Sequence, residues 1–269
     1  MYLEKINSPE DVKKLNIGEM KKLAEEMRKA LLFRLSKHGG HFGPNFGMVE
    51  ATIAMHYVFK SPIDKIVYDV SHQTYPHKML TGRKDGYLYE EHFDDISGYS
   101  NPEESEHDLF DTGHSSTSIS MALGLARARD LNHEDYHVVA IVGDGALTGG
   151  MAYEALNNAA HLKKNFIIVL NDNNMSISEN VGGMSKYLSG LRSGVGYNEL
   201  KRQVSETLLK IPVVGAGLVE KISRTKDSIK QLVIPGMLFE NMGVTYLGPV
   251  DGHDIKTMVK TFKEARRMD

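Results

Sequence analysis

A chain of 269 residues with 41% hydrophobic content is long enough for one large core, and α/β units of this length commonly fold as a single domain. Its formal net charge is −3 with the basic residues spread along the chain, which gives no reason to expect nucleic acid or an anionic membrane as a partner. The absence of cysteine removes disulfides, thiolate metal sites and a cysteine nucleophile together.

The opening, MYLEKINSPEDVKKL, is charged and lacks the apolar core of a signal peptide. The strongest apolar runs are only about five residues, far short of a membrane span, so a soluble cytoplasmic protein is expected. Ser8-Pro9 supplies a cap and a first-turn proline for a helix over 9–37, and a second helical pattern covers 45–60. IVYDV (66–70) follows as a strand, then a helix over 116–131, the strand VVAIV (138–142), a helix over 150–162 and the strand FIIVL (166–170). These three strands read as buried on both faces. VTYLGPV (244–250) is a weaker fourth, and a helix over 254–267 closes the chain. The alternation predicts a doubly wound parallel sheet with helices on both faces.

Residues 181–235 break that rhythm. They hold scattered glycines, and from Lys186 to Lys230 there are nine Lys/Arg against four Asp/Glu. Such a stretch suits either a solvated set of surface helices or a mobile cover over a site for anionic ligands, and a mobile helical insertion is the expectation.

The chemistry concentrates where strands end. In a parallel sheet, ligands bind at the carboxyl edge, and GDGALTGG (143–150) leaves the strand VVAIV at such a place. Its glycines allow close backbone approach, and the helix that follows offers N-terminal N–H groups to an anion. Gly143, Gly145 and Gly149 give G-x-G-x-x-x-G, one residue longer than the dinucleotide fingerprint. Asp144 adds a physical objection to a bare diphosphate, because a carboxylate repels it unless a divalent cation lies between.

A second polar element emerges from the neighbouring strand: FIIVL runs into NDNNMSIS, with 25 residues between GDG and NDN, enough for one helix and one strand. Asp144, Asn173, a backbone carbonyl and two diphosphate oxygens would form a hard, roughly octahedral oxygen shell, which suits Mg²⁺ rather than zinc. Either piece alone is a common loop feature; together, at this spacing, they specify a site. A nicotinamide dehydrogenase with Asp172 on a ribose is the competing reading, and the glycine spacing and Asp144 count against it.

GDG followed by NDN resembles the cofactor motif of transketolase-like, thiamine diphosphate-dependent enzymes. GGHFGPNFGMVEATIAMHYVF, YDVSHQTYPHKMLTGR, GHSSTSISMALGLARARD, GDGALTGGMAYEALNNAAHL, LNDNNMSISENVGG and GPVDGHD are together similar to the N-terminal, diphosphate-binding region of the 1-deoxy-D-xylulose-5-phosphate synthase family, in order and spacing over nearly the whole chain. The resemblance implies that residues 1–269 are a diphosphate-binding domain for thiamine diphosphate and Mg²⁺. The metal ligands would be Asp144, Asn173 and the Met175 carbonyl. Gly145 and Ala146 would meet the diphosphate through their backbone, and Gly113, His114 and Ser115 would line the cofactor. His41 and His72 would face the reacting carbon, with His72 also against the cofactor.

A lone histidine is more often a surface group or the satisfied partner of a backbone carbonyl. His56, His92, His133, His137 and His161 read that way, and His77 as structural.

The implied reaction transfers a two-carbon unit from pyruvate to glyceraldehyde 3-phosphate. Ketol transfer between other sugar phosphates and an inactive or regulatory subunit that keeps the cofactor fold are the alternatives. Two features depart from the family pattern: Ser71 stands where the family carries glycine, and GYSNPEESEHDLFDTGHSS lacks the Pro-, Trp- and Arg-containing signature before GHSS. The family's pyrimidine-binding and C-terminal domains have no counterpart in the 269 residues. The resemblance therefore implies a half of a two-subunit enzyme or a piece of a longer one, completed as a homodimer or hetero-oligomer by a pyrimidine-binding domain or subunit.

Overall fold

The computed structural model describes residues 1–172, 183, 187, 188 and 237–268. The chain divides into two compact units, residues 1–179 with 250–269, and residues 180–249. Asn173, Met175 and almost all of the stretch 181–235 lie outside the described residues.

In the first unit, helix α1 (Ile17–His38) begins where Asn16 accepts from Glu19 N and the Glu19 carboxylate accepts from Asn16 N. This reciprocal cap splits the helix expected over 9–37, whose first part survives as the short turn Pro9–Val12. The pattern at 45–60 also divides, into Gly43–Gly47 and α2 (Val49–Val58). Strands β1 (Lys65–Tyr68), β2 (Val138–Gly143) and β3 (Ile167–Asn171) form a parallel sheet in that order. Lys65 lies opposite Val138 and Gly143 opposite Asn171. Helices α3 (Ser118–Leu131) and α4 (Gly150–Leu162) fall where the periodicity places them. Tyr75 to Asp95 is an unforeseen run of short helical turns.

Alternation along the strands gives each face its own helices. Ile66 and Tyr68 of β1 and Val139 and Ile141 of β2 join the large core with α1, α2 and α6 (Ile255–Arg267), the last capped by Asp254. Val138 and Ala140 face the other way, onto Ala122 and Ala126 of α3. The expected architecture of helices on both faces is thus present. β2 is buried along its length, whereas β3 is only half-buried, lying at the edge of the three strands.

β1 stops two residues earlier than its hydrophobic run because Val70 and Ser71 adopt positive φ, 59° and 70°. Left-handed backbone at two successive non-glycine residues turns the chain sharply out of the sheet.

In the second unit, helix α5 (Met237–Asn241) is followed by Gly243 at φ 81°. The expected fourth strand at 244–250 does not form. Val244 N donates instead to Phe239 O at 2.9 Å, and the Tyr246 ring stacks on Phe239, tying the segment to the helix end. Pro249 also lacks the N–H a strand ladder needs.

Ile141 sits fully buried in the middle strand. Ile141→Ala should cost about 3 kcal/mol through lost transfer energy and the cavity left behind. Urea unfolding should show a lower midpoint with an unchanged slope; a loss under about 1 kcal/mol would mean that the sheet is not the centre of the core.

Candidate active site

The site is assembled where the three strands deliver their carboxyl ends. Asp69 follows β1 and is buried; its two carboxylate oxygens accept from Ser116 N at 2.8 Å and Ser118 N at 3.0 Å. Asp69 N itself donates to Ile141 O, so strand and carboxylate are fixed together. The start of α3, with Gly113, His114 and Ser115 just before it, is thereby docked against the end of β1. Ser116 Oγ then donates to Ala146 O at 2.7 Å. This contact requires Gly149, because a Cβ there would collide with Ser116 Oγ. The GHSS and GDGA segments meet through these two residues.

Asp144 is buried at the end of β2, and its N donates to Asn171 O at 3.2 Å. β2 and β3 therefore run out side by side, with Gly145 and Ala146 on one and Asn171 and Asp172 on the other. Asn173 is the next residue beyond the described part of β3's exit, and neither its position nor that of Met175 is described. Gly113, His114 and Ser115 are exposed at the same edge, with His114 Nδ1 3.0 Å from Ser115 O.

His41 and His72 come together from distant segments, with ring centroids 5.4 Å apart in an edge arrangement. Their pairing rests on Asn45, fully buried, whose amide donates to both carbonyls, His41 O at 2.7 Å and His72 O at 2.8 Å. Asn45 Oδ1 in turn accepts from Tyr75 N. Burial lowers the His41 imidazole below its ordinary value; burial and then the neighbouring His41 do the same to His72. Both rings are held towards the neutral form, and His72 Nδ1 is buried with no partner among the described residues. Ser71 completes the assembly: its hydroxyl donates to Thr112 O at 3.1 Å and accepts from Ser100 N at 2.9 Å. Glycine would suit its φ better, but could make neither bond.

Beneath the site lies a buried polar network that the sequence reading did not single out. His56, expected to be an ordinary surface or backbone-bonded histidine, is fully buried with Nε2 2.9 Å from His77 Nδ1. His77 Nε2 lies 3.1 Å from Asp108 Oδ1, and Arg83 donates to both Asp108 oxygens at 2.8 Å. Although burial alone would raise Asp108, Arg83 and His77 hold it well below the usual carboxylate range. Lys78, fully buried, donates to Ser97 O and to Glu104, so the 97–108 loop is fastened from below. His77 is structural, as expected. Asn45, Asp69 and Tyr75 were missed; of these, only Asp69 had a signal, an acid closing an apolar strand.

The sequence matches the 1-deoxy-D-xylulose-5-phosphate synthase family over residues 3–269. The chain belongs to the 1-deoxy-D-xylulose-5-phosphate synthase family. It is 53% identical over 266 residues to the 1-deoxy-D-xylulose-5-phosphate synthase of Caldanaerobacter subterraneus subsp. tengcongensis, covering 99% of this chain and 43% of that one. With the enzyme of that name from Carboxydothermus hydrogenoformans the identity is 53%, covering 98% and 42%. The chain thus spans less than half the length of the curated relatives it matches. Among solved structures it resembles a transketolase from Campylobacter jejuni, with TM-score 0.60 and 18% identity over 94% of this chain and 36% of the other. A transketolase from Leishmania mexicana gives TM-score 0.59 and 19% identity, over 93% and 35%. Both likenesses support the fold.

Two outcomes follow for this family member. Asp69→Ala strands two buried N–H groups, and should cost about 2 kcal/mol while raising hydrogen exchange at Ser116 and Ser118; unchanged exchange at those amides would remove Asp69 from its place in the assembly. Acid should also destabilise the fold. Burial, then the charges of His77 and Arg83, lower His107 from 6.5 to about 4, and burial lowers His56 and His77 as well. Below about pH 6.5 the unfolded chain takes up protons that these histidines refuse in the fold, so stability present at neutral pH is lost as pH falls towards 4. His107→Asn should reduce that loss by about 1 kcal/mol, discounted for partial solvent screening. Urea midpoints at pH 7.5 and 5 check this, and equal midpoints would contradict it.

Proposed function

We propose that this chain is the diphosphate-binding part of a thiamine diphosphate- and Mg²⁺-dependent transferase that makes 1-deoxy-D-xylulose 5-phosphate from pyruvate and glyceraldehyde 3-phosphate. The observation that carries the reading is the family match over residues 3–269; Asp144 just after the end of β2 and Asn171 at the end of the neighbouring β3 support it.

The residues present fit the cofactor. Asp144 supplies a buried carboxylate at the strand end, and a Cβ on Gly113, Gly143 or Gly150 would meet nothing within 4 Å, which leaves room for a close ligand. His72 Nδ1 and Thr112 Oγ1 are buried polar atoms with no partner among the described residues.

In this reading Asp144, Asn173 and the Met175 carbonyl hold Mg²⁺, and the backbone of Gly145 and Ala146 meets the diphosphate beside the N-terminus of α4. Gly113, His114 and Ser115 line the cofactor. Thiamine diphosphate would supply carbanion chemistry through its thiazolium ring. The protein's own part is orientation and proton handling: His41 and His72, neutral near pH 7, can each accept or donate a proton beside the reacting carbon. The aminopyrimidine would lie on a pyrimidine-binding domain or subunit, so the active species is a homodimer or hetero-oligomer. No helix among the described residues is long and apolar enough to cross a membrane, and the proposed setting is the cytoplasm.

Calorimetric titration with thiamine diphosphate tests the metal bridge. Binding should require Mg²⁺, and Asp144→Ala should weaken it at least about tenfold, about 1.4 kcal/mol. Equal affinity in EDTA would overturn the assignment. The chain alone should release no CO₂ from pyruvate, and adding a separately expressed pyrimidine-binding domain should restore turnover by about 10²-fold or more. Robust turnover by the lone chain would overturn the two-part arrangement.

A further inference from the structure

His41 is gripped at both ring nitrogens by tyrosine hydroxyls. Tyr75 Oη lies 3.2 Å from Nδ1, and Tyr99 Oη lies 3.3 Å from Nε2. No carboxylate or cation bonds to the ring among the described residues. Which way the protons run follows from the backbone. His41 N–H donates to Tyr75 Oη at 3.3 Å, so one lone pair of that oxygen is already used. Tyr75 is buried, and its hydroxyl has no other acceptor than Nδ1 among the described residues. If Nδ1 carried the imidazole proton, the Tyr75 proton would be buried with nowhere to go, and a buried donor without an acceptor bears its full desolvation cost. The arrangement that satisfies every group is Tyr75 O–H to Nδ1, then Nε2–H to Tyr99 Oη.

That order leaves the Tyr99 proton without an acceptor among the described residues. Tyr99 is 40% exposed and borders a shallow, open surface hollow together with Ser100, Asn101, Asp111 and Gly113. Its backbone is held fast: Ser97 Oγ donates to Tyr99 O at 2.8 Å, and Ser100 N donates to Ser71 Oγ. Two glycines admit the Tyr75 end of the chain. A Cβ on Gly40 would lie 2.8 Å from Tyr75 Oη, and one on Gly98 would lie 3.3 Å from it.

We propose that Tyr75, His41 and Tyr99 form a one-way hydrogen-bond chain that fixes His41 as its Nε2–H tautomer and ends in a Tyr99 hydroxyl offered to the carbonyl oxygen of a substrate. Tyr75 is a positioning residue acting through His41; Tyr99 is the residue that touches substrate. The burial that keeps His41 neutral is the condition for a single tautomer to exist at neutral pH. The substrate contact rests on the function proposed above, whereas the tautomer does not. A carbonyl oxygen could belong to the 2-oxo acid donor or to the aldehyde acceptor, and the kinetics below separate the two.

The test uses the whole chain labelled with ¹⁵N-histidine and long-range ¹H–¹⁵N spectra near pH 7.5, with the His41 signals assigned by their loss in His41→Gln. The wild type should show the Nε2–H tautomer. Tyr75→Phe, which keeps the buried ring, should move the His41 Nδ1 signal because that nitrogen loses the O–H it accepts from, and the more exposed Tyr99→Phe should leave the tautomer as it was. An Nδ1–H wild type, or a Tyr75→Phe spectrum identical to it, would overturn the chain of bonds. In the chain combined with its pyrimidine-binding domain, Tyr99→Phe should raise KM for either pyruvate or the aldehyde by about tenfold while kcat changes less than about threefold. The substrate affected identifies the carbonyl, and unchanged KM for both would overturn the contact. Lack of turnover in the unaltered combination would tell against the proposed function, while the spectra still decide the tautomer.

Discussion

A buried carboxylate must have its oxygens satisfied, and Asp69 meets this with the backbone N–H groups of Ser116 and Ser118, 47 and 49 residues further along the chain. The rest of the candidate site depends on this pairing. It sets the start of α3 against the end of β1, which places Ser116 where its hydroxyl reaches Ala146 and holds the GDGA turn. Charge-assisted bonds of this kind resist water better than neutral ones, and here they join two segments that no strand pairing connects. The carboxyl edge is therefore one surface rather than three independent strand ends.

A second layer stabilises that surface from below. The imidazoles of His56 and His77, the Asp108 carboxylate and the Arg83 guanidinium form a buried, mutually bonded row, and Lys78 with Glu104 extends it to Ser97. Removing one member would leave another charge buried and unpaired, so the row works as a unit. Its role is to hold the 97–108 loop, and with it Tyr99, at a fixed height over His41.

Much of this was legible in the sequence, for reasons that differ by element. The three strands and the helices α3, α4 and α6 announce themselves through apolar runs of the right period and length, and their order implies where a parallel sheet exposes its carboxyl edge. Asp144 stood out because it sits in a short, glycine-flanked setting directly after an apolar strand, whereas His72 was singled out only by the family resemblance. Asn45 and Tyr75 were not, since their work is to join segments far apart in sequence, and no local pattern distinguishes such an asparagine from a turn residue. The fourth strand failed for the opposite reason: VTYLGPV has a strand's composition, but Gly243 turns Val244 back onto the end of α5, and local capping took the N–H that a ladder would need. The split of the first helix at Asn16 was a capping effect too, hidden inside a longer run of helical period.

The corner at Val70 and Ser71 carries a consequence for how this sequence can vary. Two successive non-glycine residues in left-handed backbone each cost roughly 1–3 kcal/mol, and Val70, being β-branched, stands at the upper end. The fold is therefore less tolerant of change near this corner than burial alone would suggest: damage that a relaxed loop would absorb adds here to strain already present. Glycine at 70 could drift in with little harm to the backbone. At 71 it would ease the turn while cutting the hydroxyl link between Ser100 and Thr112, so the two neighbouring positions, alike in conformation, have opposite freedoms to evolve.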